Sequence, residues 1–189
     1  MKLTFIADMH YYSKTLGTSG KAYELKCEKE RQCLAETGDI IDSAFRQISE
    51  SDTQAVFIIG DLTHCGETAS HFEIREKLYE LNKTKQVYVI TGAYDRCGDK
   101  NSGKSDADSV YDNTDGMNSR DLSEFYYDFG PKQAIDRFIT ETGTICYTVQ
   151  PGENLRVLCL NHDKNENRWA DYAPDCRKWI EKQIKLAKQ

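Results

Sequence analysis

The chain of 189 residues lacks two features that would define a broad class of function. No apolar run approaches the roughly 20 residues that a membrane-spanning helix requires. Basic residues are not in excess either, because 25 Lys and Arg stand against 31 Asp and Glu, a formal net charge of −6. Non-specific binding to nucleic acid requires clustered basic side chains. We therefore expect neither a membrane nor nucleic acid as a partner, although an acidic protein can bind a phosphate substrate through divalent cations.

The sequence predicts neither a signal peptide nor a cysteine framework. Lys2 leads directly into the first apolar run, which is too short for a signal sequence and has no cleavage site, so with Met1 as the start we expect a cytoplasmic protein. No two of the seven cysteines form a Cys-x-x-Cys pair. We interpret them as small hydrophobic residues or idle thiols, which we prefer to a zinc cluster or to a catalytic thiol at Cys65 or Cys97. A redox or zinc protein built on these cysteines ranks last among the functional hypotheses.

Short apolar runs predict two sheets. Residues 2–7 and 87–90 predict strands, and residues 55–59 are a continuous apolar run of the kind that forms a strand buried on both faces. Helical patterns separate them, and the resulting β-α-β-α-β order predicts a parallel sheet. Residues 145–149 and 155–160 flank a Pro-Gly-Glu-Asn turn, which indicates an antiparallel hairpin in a second sheet.

Helical spacing is clear in several segments. Residues 21–36 are charged and predict a helix that Gly38 interrupts, and residues 39–49 carry apolar side chains at helical spacing. Residues 121–129 predict a short aromatic-rich helix. Two further amphipathic helices are predicted from apolar side chains on one face, namely Ile74, Leu78 and Leu81 in one, and Trp179, Ile180, Ile184 and Ala187 in the other. Residues 96–118 are polar throughout, and we interpret them as a substrate-side loop in preference to a disordered segment.

Acidic residues follow the first two predicted strands directly. Asp8 and His10 lie one residue apart after the first strand, and Asp61 follows Gly60 at the end of the second. The carboxyl ends of parallel strands meet at one edge of a sheet, where ligand groups collect. Asp8 and His10 can both reach one ion, and Asp61 can bridge that ion to another. A capping Asp, a surface His and a turn Asp are the alternatives, and the pairing of the two motifs favours metal ligands.

With these motifs, the chain resembles the calcineurin-like metallophosphoesterases. Asp8-x-His10 is similar to the first motif of that family, Gly60-Asp61 to the second, and Gly92-Ala93-Tyr94-Asp95 occupies the place of the third. The resemblance implies an α/β fold, a four-layer α/β/β/α sandwich. It also implies two divalent metal ions such as Mn, Fe or Zn, with Asp61 as the bridging carboxylate. Such ions accept carboxylate and imidazole ligands and can orient a phosphate and neutralise its charge.

The third motif departs from the family pattern. Ala93 stands where the family has a metal-binding Asn, and Tyr94 where it has a His that assists the chemistry. Alanine cannot ligate a metal, whereas a tyrosine, with an ordinary pKa of about 10, can donate a hydrogen bond to phosphate. We assign Tyr94 and Asp95 as candidate catalytic residues. For Asp95, an ion pair with the neighbouring Arg96 is an equal alternative.

The family's last histidines have no counterpart among the four of this chain. We interpret His64 as a solvated loop residue in preference to one that faces the site, and His71 as a helix cap or a solvent-facing residue. For His162 we prefer a structural loop to a ligand role. The resemblance then implies residues 1–189 as a single domain truncated at its C-terminal end, with an incomplete second sheet and metal occupancy that is partial or absent. A homodimer would cover the exposed sheet edge.

The leading hypothesis is a metal-dependent phosphoesterase that hydrolyses a phosphate ester with metal-activated water. Its substrate would be a phosphorylated small molecule or a phosphodiester, which the sequence does not specify further. The alternative is a degenerate, non-catalytic family member that binds a ligand or partner. Asp8, His10 and Asp61 are the metal ligands in the first case.

Overall fold

A parallel sheet forms the first half of the protein. The computed structural model describes residues 1–29, 33–96, 103–104, 112–113, 115–161 and 172–187. Strands β1 (Leu3–Ile6), β2 (Ala55–Ile59) and β3 (Gln86–Ile90) pair in parallel in the order β1-β2-β3. The predicted parallel sheet is thus confirmed, and β2 has the predicted bounds because its apolar run is buried on both faces at all but its last residue.

Five α-helices are described, and their ends differ from the predictions. Gly38 lies inside the second helix instead of interrupting the pattern, and the helix predicted over 21–36 ends at Lys29. The helix predicted over 121–129 begins earlier, because the Asn118 side chain caps its first turn by accepting hydrogen bonds from the amides of Arg120 and Asp121. The same helix also ends earlier than predicted, at Phe125. The helices are α1 (Lys21–Lys29), α2 (Thr37–Glu50), α3 (Thr68–Asn82), α4 (Ser119–Phe125) and α5 (Pro174–Ala187).

Helices α2, α3 and α4 cover one face of the parallel sheet. Val56, Ile58, Val87 and Val89 of the sheet are buried against this layer. The helices and the residue that follows α4 contribute apolar side chains, which recur at helical spacing in α3 as the sequence predicts. The contributing residues are Ile41, Phe45, Ile74, Leu78, Leu81, Leu122 and Tyr126. This packing places the first turns of α2 beside the carboxyl end of β1.

A second, antiparallel sheet covers the opposite face. It contains β6 (Asp136–Ile139), β7 (Ile145–Gly152) and β8 (Leu155–Cys159) in the order β6-β7-β8, so the predicted hairpin is confirmed. Strand β6 was not among the predicted strands. Side chains of the two sheets meet in a second core, and the Tyr147 hydroxyl donates a hydrogen bond of 2.7 Å to the backbone oxygen of Val89 on β3.

Helix α5 packs on the outer face of the second sheet and completes an α/β/β/α arrangement of four layers. Its buried residues are Cys176, Trp179 and Gln183, whereas Ile184 is 46% exposed. The prediction of the apolar face is therefore confirmed at Trp179 and wrong at Ile184. The side-chain amide of Gln183 donates to Asp136 of β6, and this bond turns a polar residue toward the sheet.

Two elements bear on the remaining predictions. A short antiparallel pair, β4 (Gly103–Lys104) and β5 (Asp112–Asn113), lies within the predicted substrate-side loop, most of which is outside the described residues. In the part of the chain that the structure describes, β1 has a strand partner on one side only, and its Phe5 is 58% exposed. A homodimer that covers this edge stays a prediction.

Candidate metal centre

The first motif loop is joined to the second by backbone hydrogen bonds. The amides of Asp8 and His10 donate to the carbonyl oxygens of Gly60 and Asp61, at 3.3 and 3.0 Å. Asp8, His10 and Asp61 all have left-handed backbone conformations, with φ of 53°, 45° and 50°. Such conformations are costly for residues other than glycine and cluster at functional sites. The loops thus hold three candidate ligands in conformations that an ordinary turn would avoid.

The third motif approaches the second so closely that only glycine fits at position 92. A Cβ atom on Gly92 would lie 2.1 Å from Oδ1 of Asp61 and 2.3 Å from its amide nitrogen. Beyond this contact, the backbone amide of Tyr94 donates a hydrogen bond of 2.9 Å to the same Oδ1. The side chain of Asp61 is therefore oriented by the backbone of the third motif.

The ligand atoms of Asp8, His10 and Asp61 converge within 4.8 Å of one another. Nε2 of His10 lies 3.8 Å from Oδ1 of Asp8. Burial raises the pKa of Asp61, the amide of Tyr94 opposes this shift, and the negative charge of Asp95 adds to it. A divalent cation would neutralise the repulsion between these carboxylates.

The residues present fit one divalent ion. Two carboxylates and an imidazole form a donor set that Mn, Fe and Zn accept. Nδ1 of His10 is buried and has no hydrogen-bond partner among the described residues, so that nitrogen is not already committed to another group. The ligand set for a second ion is incomplete in the described part of the chain, since Asp61 can offer its carboxylate but Ala93 offers nothing. These are the residues that the sequence analysis assigned as ligands, and the metal assignment stays a prediction.

Tyr94 lies beside the candidate ligands. Its ring contacts that of His10 edge-on, with centroids 5.2 Å apart and planes at 83°. The residue is 50% exposed, so the protein does not enclose it. This placement is compatible with the predicted role in binding phosphate, which remains to be tested.

Asp95 is fully buried beneath the site. Its Oδ1 accepts hydrogen bonds from the amide and hydroxyl of Thr63, at 2.9 and 3.0 Å, and its Oδ2 accepts from the amide of Gly92 at 2.7 Å. Asp95 therefore joins the second motif loop to the third. Its catalytic role stays a prediction, whereas its contacts identify it as a residue that positions the loops.

Two histidines that we interpreted as solvent-facing are buried. Nδ1 of His71 lies 2.8 Å from the hydroxyl of Tyr126, and its Nε2 lies 2.8 Å from the backbone oxygen of Asp95. Nδ1 of His64 lies 3.2 Å from the carboxylate of Glu67, which also accepts from the amide of Cys65. The predictions of solvent exposure were wrong because hydrogen-bond partners satisfy both rings inside the protein, His71 through residues distant in sequence and His64 through a carboxylate three residues away. His64, Cys65 and Glu67 also form a group with metal-ligand spacing, but their hydrogen bonds already explain their arrangement.

The structure also bears on the cysteines and on the loop after β8. Six cysteines are described, all are free thiols, and Cys146, Cys159 and Cys176 are buried as the sequence predicts. Asn161 is buried and its side-chain oxygen accepts hydrogen bonds from the amide and hydroxyl of Thr91, both at 3.1 Å. His162 lies outside the described residues. No sequence signal identified Asn161 as a support for the third motif.

Comparison with known protein families supplies the decisive observation. The family model for calcineurin-like phosphoesterases matches residues 1–185. The chain belongs to the calcineurin-like phosphoesterase family. Family membership places phosphoester hydrolysis and divalent metals among the properties expected of this fold. A comparison with curated proteins finds no significant match. Among the described helices, none has the length and apolar character needed to cross a membrane.

Proposed function

We propose that this chain is a metal-dependent phosphoesterase domain that hydrolyses a phosphorylated small molecule or a phosphodiester. The observation that carries the proposal is the convergence of the Asp8, His10 and Asp61 ligand atoms within 4.8 Å at the carboxyl end of the parallel sheet. Carboxylates alone would repel a phosphate, so an acidic site of this kind requires a cation for substrate binding.

Each residue has a distinct task in this proposal. Asp8, His10 and Asp61 would hold a divalent ion, with Asp61 oriented by the Tyr94 amide. When bound, the ion would supply an activated water and neutralise charge on the phosphate. The hydroxyl of Tyr94 would donate a hydrogen bond to a phosphate oxygen. Asp95 holds the loops that carry these groups, through Thr63 and Gly92.

The test compares Asp61→Asn with Asp52→Asn. Asp52 is an exposed carboxylate that pairs with Lys2 before the amino ends of β1 and β2, whereas the motifs follow the carboxyl ends, so it controls for loss of one negative charge. Bound metal is measured after purification, and hydrolysis of bis-p-nitrophenyl phosphate and p-nitrophenyl phosphate is followed with added Mn²⁺. We expect Asp61→Asn to lose metal and to reduce the rate by roughly 100-fold or more, a few kcal/mol of transition-state stabilisation. Absence of metal-dependent hydrolysis in the unsubstituted chain, or equal rates in the two variants, would refute the proposal.

A second candidate function is a binding domain of the same family without turnover. The observation that favours it is the third motif, where exposed Ala93 offers no ligand and Tyr94 replaces a histidine. The double substitution Ala93→Asn with Tyr94→His restores the family residues. Hydrolysis that arises only in the double variant, with metal binding already present in the unsubstituted chain, would favour the binding domain. A cytoplasmic location stays a prediction for either function.

A further inference from the structure

A cavity adjoins the candidate metal centre on the side of α2. It has a volume of about 450 Å³, within the range of roughly 300–1,000 Å³ typical of small-molecule sites. The loop after β1 forms one wall, with Ile6, Asp8 and His10, and the first turns of α2 form the other, with Ile40, Ala44 and Phe45. We infer that this cavity binds an apolar, uncharged ester group of the phosphoester substrate. This inference rests on the proposed function, because it assigns a substrate class to the same site.

Continuity with the metal centre is the first argument. Asp8 and His10 line the cavity and also belong to the group whose ligand atoms converge within 4.8 Å. A phosphate held at this group therefore has the cavity directly beside it. One ester group of the bound phosphate can enter the cavity while the reacting bond stays at the metal centre.

Charge is the second argument. Among the described lining residues there is no Lys or Arg, and Asp8, the one carboxylate among them, is already a candidate ligand of the cation. A second phosphate or a carboxylate in the cavity would therefore have no cationic side chain among these residues with which to pair. The described lining thus favours an ester group without charge.

The side chains that line the cavity also offer a ligand few free hydrogen-bonding groups. Thr37 also lines the cavity, but its hydroxyl oxygen already accepts from the amide of Tyr12 and its proton is donated to the carbonyl oxygen of Leu34. Ile41 and Phe45 belong to the main core, so that wall is held by packing. Ile40 is 53% exposed, which leaves apolar surface for an apolar alkyl or aryl group to cover.

The test uses methylphosphonic acid and hexylphosphonic acid, which share the charged group and differ only in the length of the alkyl chain. Their affinities are measured by calorimetry with the full chain in the presence of Mn²⁺, so the readout does not depend on turnover. We expect hexylphosphonic acid to bind at least about tenfold more tightly, since five additional methylenes leave water. The ratio of the two affinities should fall toward one in Ile40→Asn, which places a polar group at the cavity, and in Ala44→Leu, which fills it.

Ile184→Asn is the matched control, because Ile184 is a similarly exposed isoleucine on α5, and it should keep the ratio of the unsubstituted chain. Circular dichroism confirms that each variant folds. Equal affinities in the unsubstituted chain, no binding of either compound, or an unchanged ratio in both cavity variants would overturn the inference. Metal-dependent hydrolysis that Asp61→Asn abolishes, together with equal affinities, would leave the proposed function intact and reject the cavity. An affinity ratio of about ten or more without any hydrolysis would support the cavity and reject the proposed function.

Discussion

The backbone amide of Tyr94 donates a hydrogen bond of 2.9 Å to Oδ1 of Asp61. The third motif thus orients the bridging candidate of the second through its main chain, independently of which side chain occupies position 94. The family pattern can therefore lose its histidine here without releasing Asp61. This separates what the Tyr94 side chain does from what its backbone does.

Tyr94→Phe keeps the backbone donor and removes only the hydroxyl. We expect Mn²⁺ affinity to be unchanged and kcat for bis-p-nitrophenyl phosphate to fall roughly 10- to 100-fold, because a hydrogen bond to a charged group is worth about 1.5–3 kcal/mol. Steady-state kinetics and calorimetry measure the two quantities. Tyr127→Phe, at another partly exposed tyrosine, should leave both unchanged. An unaltered kcat in Tyr94→Phe would show that the hydroxyl has no role in the reaction.

Gly92→Ala should destabilise the protein and displace Asp61. The added Cβ would lie 2.1 Å from Oδ1 of Asp61, so one of the two loops must move. We expect a loss of roughly 1–3 kcal/mol in the free energy of unfolding, as for other overpacked sites, together with weaker Mn²⁺ binding. Gly38→Ala is the control, because a Cβ there meets only the Tyr11 ring at 3.8 Å and alanine favours the helix by about 0.5–1 kcal/mol. Equal stabilities of the two variants in urea would contradict this expectation.

Asp95→Ala removes the acceptor for three hydrogen bonds in a buried place. The amide and hydroxyl of Thr63 and the amide of Gly92 would lose their partner. Because each unsatisfied buried donor costs about 1–3 kcal/mol, we expect the free energy of unfolding to fall by about 3 kcal/mol or more. Chemical denaturation measures it, and Asp52→Ala on the surface should change stability by less than about 0.5 kcal/mol. A loss as small as that of the control would mean that Asp95 does not hold the loops together.

His71 should make stability sensitive to mild acid. Burial lowers the pKa of His71 below its ordinary value of 6.5, although the charges of Asp95 and Glu67 oppose this shift. The unfolded chain therefore binds a proton that the folded chain does not. The stability associated with neutral His71 is complete above about pH 6.5 and is lost as the pH falls below that value, at up to about 1.4 kcal/mol per pH unit.

Comparison with His71→Gln isolates this contribution, since all other ionisable groups are the same in the two proteins. The variant should be less stable at pH 8 but should lose less stability than the unsubstituted chain between pH 6.5 and 5.5. Urea denaturation at each pH provides the measurement. Parallel stability curves for the two proteins would show that His71 does not titrate differently on folding.

Local sequence patterns were sufficient to predict the strands of the parallel sheet, the hairpin and the candidate metal ligands. The strands of the parallel sheet, the hairpin and the positions of Asp8, His10 and Asp61 follow from apolar runs a few residues long and from motifs that span three or four. Strand β6 escaped prediction because Asp136 and Arg137 interrupt its apolar character, and only pairing with β7 identifies it as a strand. The start of α4 also differs from the prediction, because the Asn118 side chain caps its first turn.

Only the tertiary structure shows which residues hold the loops of the site in place. His71 contacts Tyr126, 55 residues away, and Asp95 contacts Thr63, 32 residues away. The cavity beside Asp8 and His10 requires α2 to pack across from the loop after β1. The sequence by itself determined which residues could hold a metal, because their chemical type and strand-end positions are local properties. Which polar groups are buried, paired and turned toward them depends on contacts between distant segments, which form only when the chain folds.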